Sequence, residues 1–437
     1  MSDVAADGGE RVVCTGCPLL CDDIVLRAEG TDAAGPQPFF EHACAAGEAW
    51  LAQASACQPA AAAVVDGEPV DAAEAILQAA TRLAACRRVL VTGCQDATLE
   101  TVAAAASLAE QLGAAFDAGA AEAAISSGPL AARLGRVTAD FEELRDRADC
   151  VLLWHADPSQ THPRFIERFL EPAPATGRRR VFAVGGAVAE AAARGWTSVA
   201  IPQSQAAEAA VSLQLMLATQ APSRAAQSTC ELPPSRHGLG AAVAEIAAAC
   251  RAAACVGVVT SSGAEDASGL AAAAVSRLVA ALAHTKPAFE IPLAASPRGA
   301  GPATAAAVCT WRFGAAGAVA LANRDGGLLA PAEADACRLI DRRDVDGVVV
   351  VGEPPAAVTA ALAGFDGLVV ALGGPAPSPR GLQIWIDTAP TAVASNGQLL
   401  RDDGRLVALH AVRPTARPAA AAVIEAIRGH LSDEELR

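Results

Sequence analysis

The chain has 437 residues, 52% of them hydrophobic, a length that implies two to four domains rather than a single core. Its formal net charge of −15 argues against nucleic-acid binding, which needs clustered Lys and Arg, and basic runs such as Arg178-Arg179-Arg180 are short. The amino terminus has no basic n-region or apolar h-region, and no uncharged apolar run reaches the roughly 18–20 residues of a membrane helix. The Ala-rich run 238–259 comes nearest, broken by Glu245 and Arg251. The expectation is a cytoplasmic protein with no membrane partner, whose thirteen cysteines stay reduced.

In chain order, two short strands, 11–13 and 23–27, flank a loop in which Cys14, Cys17 and Cys21 lie within eight residues. A Gly/Pro-rich connection, 30–38, then leads to Cys44. From about residue 65 the pattern becomes strand–helix alternation. Val89-Leu90-Val91-Thr92-Gly93 reads as a buried strand, followed by a helix over 97–112 that Asp96 caps and Gly113 ends. The stripe Leu99, Val102, Ala106, Ala109 places a helical face in a core. Further strands are expected at 150–154, 180–184, 255–259, 348–351 and 368–371, with a linker at 219–240 and a last helix, 419–430, before a charged tail. These apolar runs do not alternate, as expected of parallel strands covered on both faces. The fold class is α/β: a small N-terminal iron–sulfur domain followed by two doubly wound α/β domains.

The chemistry is concentrated in Cys14, Cys17, Cys21 and Cys44, spaced C-x2-C-x3-C-x22-C. A cuboidal [4Fe–4S] cluster needs a thiolate at each iron corner, and a loop bent by Gly16 and Pro18 can supply three. A structural zinc site is the alternative, although zinc usually takes two separated C-x2-C knuckles; a site without metal is the other. The remaining nine cysteines sit in apolar, Ala-rich surroundings and read as small core residues.

Cys-Thr-Gly-Cys-Pro-Leu-Leu-Cys-Asp-Asp-Ile at 14–24, with His-Ala-Cys-Ala-Ala-Gly at 42–47, resembles the start of the B subunits of formylmethanofuran dehydrogenases, in the molybdopterin oxidoreductase superfamily. Three later stretches resemble the same family: Leu153 to Arg164, Thr304 to Trp311, and Ala394 to Arg405, the last similar to a loop near the pterin. The resemblance implies Rossmann-like domains without the C-terminal barrel that superfamily chains usually carry. The implied boundaries are 1–60 for the cluster domain, 61–125 with 240–380 for a discontinuous first α/β domain, 126–239 for an inserted second one, and 381–437 for a return segment. It further implies His162, Asn396 and Gly397 as remnants of pterin-binding loops.

Redox members of the family hold molybdenum or tungsten on two pterin dithiolenes and one Cys or selenocysteine. The corresponding position here is Leu99, which cannot ligate a metal. A gap in the alignment would instead offer Cys94. Ala46 stands where many members place a Lys between cluster and pterin, and Ile125-Ser126-Ser127-Gly128-Pro129 replaces a Cys-His-Gly-Pro segment. His155 and Asp157 read as a satisfied turn rather than a catalytic pair. The pattern is similar to that of the B subunit of bacterial formyltransferase/hydrolase complexes of tetrahydromethanopterin- and methanofuran-linked one-carbon metabolism. It implies a scaffold subunit that carries a [4Fe–4S] cluster, is not itself catalytic, and has lost its place for a molybdopterin or tungstopterin. The implied partners are amidohydrolase-like, formyltransferase and glutamate-synthase-like subunits. The rival expectation is a redox-active molybdo- or tungstopterin subunit interconverting formylmethanofuran and CO2.

Overall fold

A computed structural model describes residues 9–29, 37–56, 62–117, 134–185, 191–218, 239–262, 269–294, 299–321, 328–329, 333–374 and 384–435. The 125–129 segment, most of the 30–38 connection and most of the 219–240 linker lie outside the described residues. The chain forms two compact units, residues 1–124 with 296–437, and residues 125–295.

In the first unit, nine strands form a mixed sheet. Its order is Leu328–Leu329, Val319–Ala320, Ala115–Asp117, Val89–Gly93, Gly347–Val351, Leu368–Leu372, Ile384–Ile386, Ala63–Val65, Glu68–Val70. The five strands from Ala115–Asp117 to Ile384–Ile386 run parallel. Every residue of Val89–Gly93 and Gly347–Val351 is buried, which is why their sequences are continuously apolar. The helix after Val89–Gly93 is Leu99–Leu112; Val102, Ala106 and Ala109 are fully buried, so the expected stripe faces the core. Its cap is Thr98, whose hydroxyl accepts from Thr101 N at 3.3 Å, and not Asp96 as expected. Thr98 directly precedes the first helical residue, where a cap must stand to reach that amide. Gly113 ends the helix at φ 60, as expected. The terminal helix is Ala420–Glu435, so most of the expected charged tail is helical.

The same unit holds a three-stranded antiparallel sheet, Glu10–Val12, Ile24–Glu29, Gln37–Glu41, and a hairpin of Gly397–Leu400 with Leu406–Leu409. Leu399, Val407 and Leu409 of the hairpin pack with Leu20 and Ala300 in a small buried cluster. The hairpin thus carries the cysteine loop.

The second unit contains five parallel strands in the order Thr197–Val199, Arg180–Val184, Cys150–Trp154, Val256–Ser262, Ala288–Ala294. The expected domain boundary at 239/240 is corrected here. Val256 pairs with Cys150 and Ala288 with Val256, so 256–294 extends the second sheet instead of returning to the first. Continuous apolar strands mark burial but do not name their partners, so the sequence could not place them. The expected separate 1–60 domain and 381–437 segment both fall within the first unit.

Candidate metal centre

The cysteine loop joins Glu10–Val12 to Ile24–Glu29, whose antiparallel register, Val12 opposite Ile24, fixes both ends. Within it Cys14 N donates to Cys21 O at 2.9 Å and Leu20 N to Cys17 O at 3.2 Å, with Leu20 turned to φ 44. Cys44 immediately precedes the helix Ala45–Ala56, and its carbonyl accepts from Glu48 N at 2.8 Å. Its sulfur therefore lies at the amino end of a helix.

The four sulfurs converge. An ideal Cβ on Gly47 would lie 3.2 Å from Cys14 Sγ and 3.5 Å from Cys44 Sγ, so glycine leaves the two sulfurs room on either side of it. The Cys14 thiol feels the charges of Cys17, Cys21 and Cys44, and the Cys17 thiol those of Cys21 and Cys44. Backbone amides already point at sulfur: Gly16 N to Cys14 Sγ and Gly47 N to Cys44 Sγ, each 3.4 Å. Burial pushes the Cys14 thiol far above its ordinary value and the Cys17 thiol up to about 12. A bound metal reverses this, because a coordinating thiol is deprotonated outright.

Among the described residues, no three His, Cys, Asp or Glu side chains approach closely enough to hold a single ion. Zinc–sulfur bonds of about 2.3 Å would require sulfurs within roughly 4 Å of one another. A cubane spreads its four corners wider than that. Four thiols, with backbone amides aimed at two of the sulfurs, are a donor set that an iron–sulfur cluster would take.

One wall of the site is Trp50, whose Cγ would lie 3.0 Å from a Cβ on Gly16, and whose Nε1 donates to Thr15 Oγ1 at 3.1 Å. Thr15, fully buried, in turn hydrogen-bonds the carboxyl group of Asp96, beyond the end of strand Val89–Gly93. Asp96 Oδ1 is buried without a hydrogen-bond partner. Burial pushes this carboxyl up to about 7, opposed by the Thr15 hydrogen bond and reinforced by the charge of Glu353. Pro18, which an added Cβ on Gly301 would strike at 2.9 Å, borders the turn at 401–405. Arg401 and Asp403 there form a bidentate ion pair whose side chains have no exposure. The sequence placed Arg401, Asp402 and Asp403 in a stretch similar to a loop near a pterin and Thr15 within the cysteine motif, but it gave none of them, nor Trp50 or Asp96, a place around the four sulfurs. Only their approach across the fold reveals them.

The strand order reverses about Val89–Gly93, which has Ala115–Asp117 on one side and Gly347–Val351 on the other. In open α/β sheets such a switch point opens a crevice for ligands. At that end Leu99 begins its helix and packs against the core edge. Cys94 is 1% exposed, lies in the same core within the field of Cys309, and burial raises its thiol far above its ordinary value. Its sulfur lies within that buried core. Asn396 Oδ1 accepts from Ala411 N at 3.0 Å, and a Cβ on Gly397 would meet Glu100 Oε2 and Thr98 Cγ2, both at 2.8 Å. Asn396 thus ties the open end of the hairpin together, and Gly397 lets its first strand pass close to the start of the helix Leu99–Leu112. His162 lies in the second unit, fully buried, its Nδ1 2.7 Å from Thr161 Oγ1 and its ring edge-on to Phe141. Asp157 caps Pro158–Thr161, accepting from Ser159 N at 3.1 Å and Ser159 Oγ at 2.6 Å, so it serves a turn as expected. Ala46 is exposed on the first turn of its helix.

No protein-family model and no curated protein sequence matches the chain. Among solved structures it is similar to a chain of the formyltransferase/hydrolase complex FhcABCD from Methylorubrum extorquens, determined in complex with methylofuran. The TM-score is 0.69 at 21% identity, over 86% of this chain and all of the other. The two chains share a fold. None of the helices among the described residues is long and apolar enough to cross a membrane.

Proposed function

We propose that this chain is a B-type scaffold subunit of a formyltransferase/hydrolase complex in tetrahydromethanopterin- and methanofuran-linked one-carbon metabolism. Cys14, Cys17, Cys21 and Cys44 hold a [4Fe–4S] cluster, and the two sheets are doubly wound, Rossmann-like domains. The observation that carries this reading is the shared fold with a chain of such a complex over 86% of the length, combined with Leu99 where a redox relative needs a thiolate. The buried position of Cys94 supports it, since the nearest thiol is packed in the core. The cluster supplies a cross-link between the cysteine loop and the Ala45–Ala56 helix. The protein's own residues do the rest: four thiolates hold it, Gly16 and Gly47 amides donate to sulfur, and Trp50 covers one side. Amidohydrolase-like, formyltransferase and glutamate-synthase-like subunits are the partners, and catalysis takes place on them.

Metal analysis of the complex purified anaerobically through this chain tests the proposal. Iron at one cluster per chain, without molybdenum or tungsten, and co-purifying formyltransferase and hydrolase activity are expected. Stoichiometric molybdenum or tungsten would establish the redox-active alternative instead, and zinc without iron would remove the cluster.

A further inference from the structure

We propose that Trp50 is a shield over the Cys14 sulfur, held in place through Thr15, which keeps solvent and solutes from one corner of the cluster. The inference rests on the cluster reading above and adds two residues whose role the cysteine spacing does not specify. The indole and the sulfur share one side of Gly16: the place a Cβ would take there lies 3.0 Å from Trp50 Cγ and 3.4 Å from Cys14 Sγ. The amide of the same glycine points at Cys14 Sγ, 3.4 Å away. Gly47 stands three residues before Trp50 on the helix Ala45–Ala56, so both lie on one helix face. A Cβ on Gly47 would lie 3.2 Å from Cys14 Sγ. The sulfur is thus lodged among Gly16, Gly47 and Trp50. Cys14 is 4% exposed, whereas Cys17 and Cys44 are half-buried. Trp50 is itself half-buried, as a residue between a sulfur and solvent must be.

A half-buried indole can change rotamer unless something holds it. Trp50 Nε1 donates to Thr15 Oγ1 at 3.1 Å. An indole N–H can only donate, so the Thr15 hydroxyl accepts there and keeps its own proton for another partner. That partner is the carboxyl group of Asp96, and Thr15 between them is fully buried. The backbone of Asp96 is tied in turn, its carbonyl accepting from Thr391 Oγ1 at 2.6 Å. The side-chain bonds run one way, from indole to hydroxyl to carboxyl, and fasten the shield to the chain beyond strand Val89–Gly93. Thr15 is therefore a positioning residue that acts through Trp50.

The test reads access to the sulfurs in the full chain, without and with iron. Metal-free chain is treated with iodoacetamide, and mass spectrometry follows the alkylation of each cysteine. Trp50→Leu is expected to raise the Cys14 rate about tenfold and to leave Cys44 within about twofold. Thr15→Val should raise the Cys14 rate about fivefold, the equivalent of one hydrogen bond of about 1 kcal/mol. Trp50→Phe, a ring without the N–H, should fall with Thr15→Val, and Thr15→Ser, which keeps the hydroxyl, with the wild type. Iron-loaded chains held under argon should release iron to a ferrous chelator in the same order. An unchanged Cys14 rate in Trp50→Leu overturns the inference. So does an equal rise at Cys14, Cys17, Cys21 and Cys44, which marks a loosened loop rather than an uncovered sulfur. Thr15→Val at the wild-type rate overturns the anchoring. A wild-type chain that takes up no iron overturns the cluster reading, whereas the alkylation rates, which need no metal, decide the shield separately.

Discussion

Replacing Arg401 by Met should loosen the cysteine loop by destroying a buried ion pair. Arg401 Nε donates to Asp403 Oδ1 at 2.8 Å and Nη2 to Asp403 Oδ2 at 2.6 Å, and neither side chain is exposed. Removing the guanidinium takes the charge partner from a buried carboxylate, which typically costs about 3–5 kcal/mol. The double variant Arg401→Met/Asp403→Leu removes both charges, so most of that cost should return. It will not all return, because Asp403 Oδ1 also accepts from Arg405 N at 3.2 Å, and an amide left without its acceptor costs about 1 kcal/mol. The expected order of stability is wild type, double variant, single variant. Because the chain has two compact units, global unfolding need not be two-state. The assay is therefore hydrogen exchange of the Leu399 and Val407 amides under denaturant, alongside a urea titration. The single variant should also take up iron more slowly, since Leu399, Val407 and Leu409 support Leu20. A single variant losing less than about 1 kcal/mol, or a double variant no more stable than the single, would refute the argument.

Three further outcomes are expected. Asp96 has a folded pKa of about 7 against 3.8 for the free group, so the stability of its neutral form is present below 3.8 and lost as pH rises through 7. Asp96→Asn should therefore be more stable than wild type at pH 8, by on the order of 2 kcal/mol, with the gap closing toward pH 4 in urea titrations at both values. The Cys17 thiol, raised from 9.0 to about 12, stabilises the metal-free fold below pH 9 and ceases to do so as pH climbs through 12. Metal-free chain should lose stability over that window at up to about 1.4 kcal/mol per pH unit for this thiol, a slope the iron-loaded chain should lack for it. Lys286, the sole Lys, donates to the carbonyls of Cys250 at 2.8 Å, Arg251 at 2.8 Å and Ala253 at 2.6 Å, closing the end of helix Leu239–Ala252. Lys286→Met should cost about 1–3 kcal/mol in thermal unfolding. In wild type an amine-reactive ester should label Lys286 only after denaturation; labelling at the rate of a free lysine would contradict the cap.

Most strands that cover the sheet centres were legible in the sequence. Val89–Gly93, Cys150–Trp154 and Arg180–Val184 occupy the expected residues, because a strand buried on both faces writes a continuous apolar run. Short edge elements such as Ala63–Val65, Glu68–Val70 and the hairpin at 397–409 escaped, since two to four residues carry no period. Asp96 was misread as a cap because its chemistry suits one. The geometry gives that place to Thr98 and turns Asp96 toward Thr15.

The sequence by itself determined the four cysteines and their spacing, the absence of a thiolate at Leu99, and the α/β character, all local properties of residue identity and period. Only the tertiary structure decided that strand Val256–Ser262 belongs beside Cys150–Trp154, that Cys94 is packed in the core, and that Arg401, Asp402 and Asp403 stand beside Cys17 and Pro18. Those relations join residues more than a hundred, and in the last case nearly four hundred, positions apart. No local pattern encodes them; the pairing of strands and the close packing of loops create them.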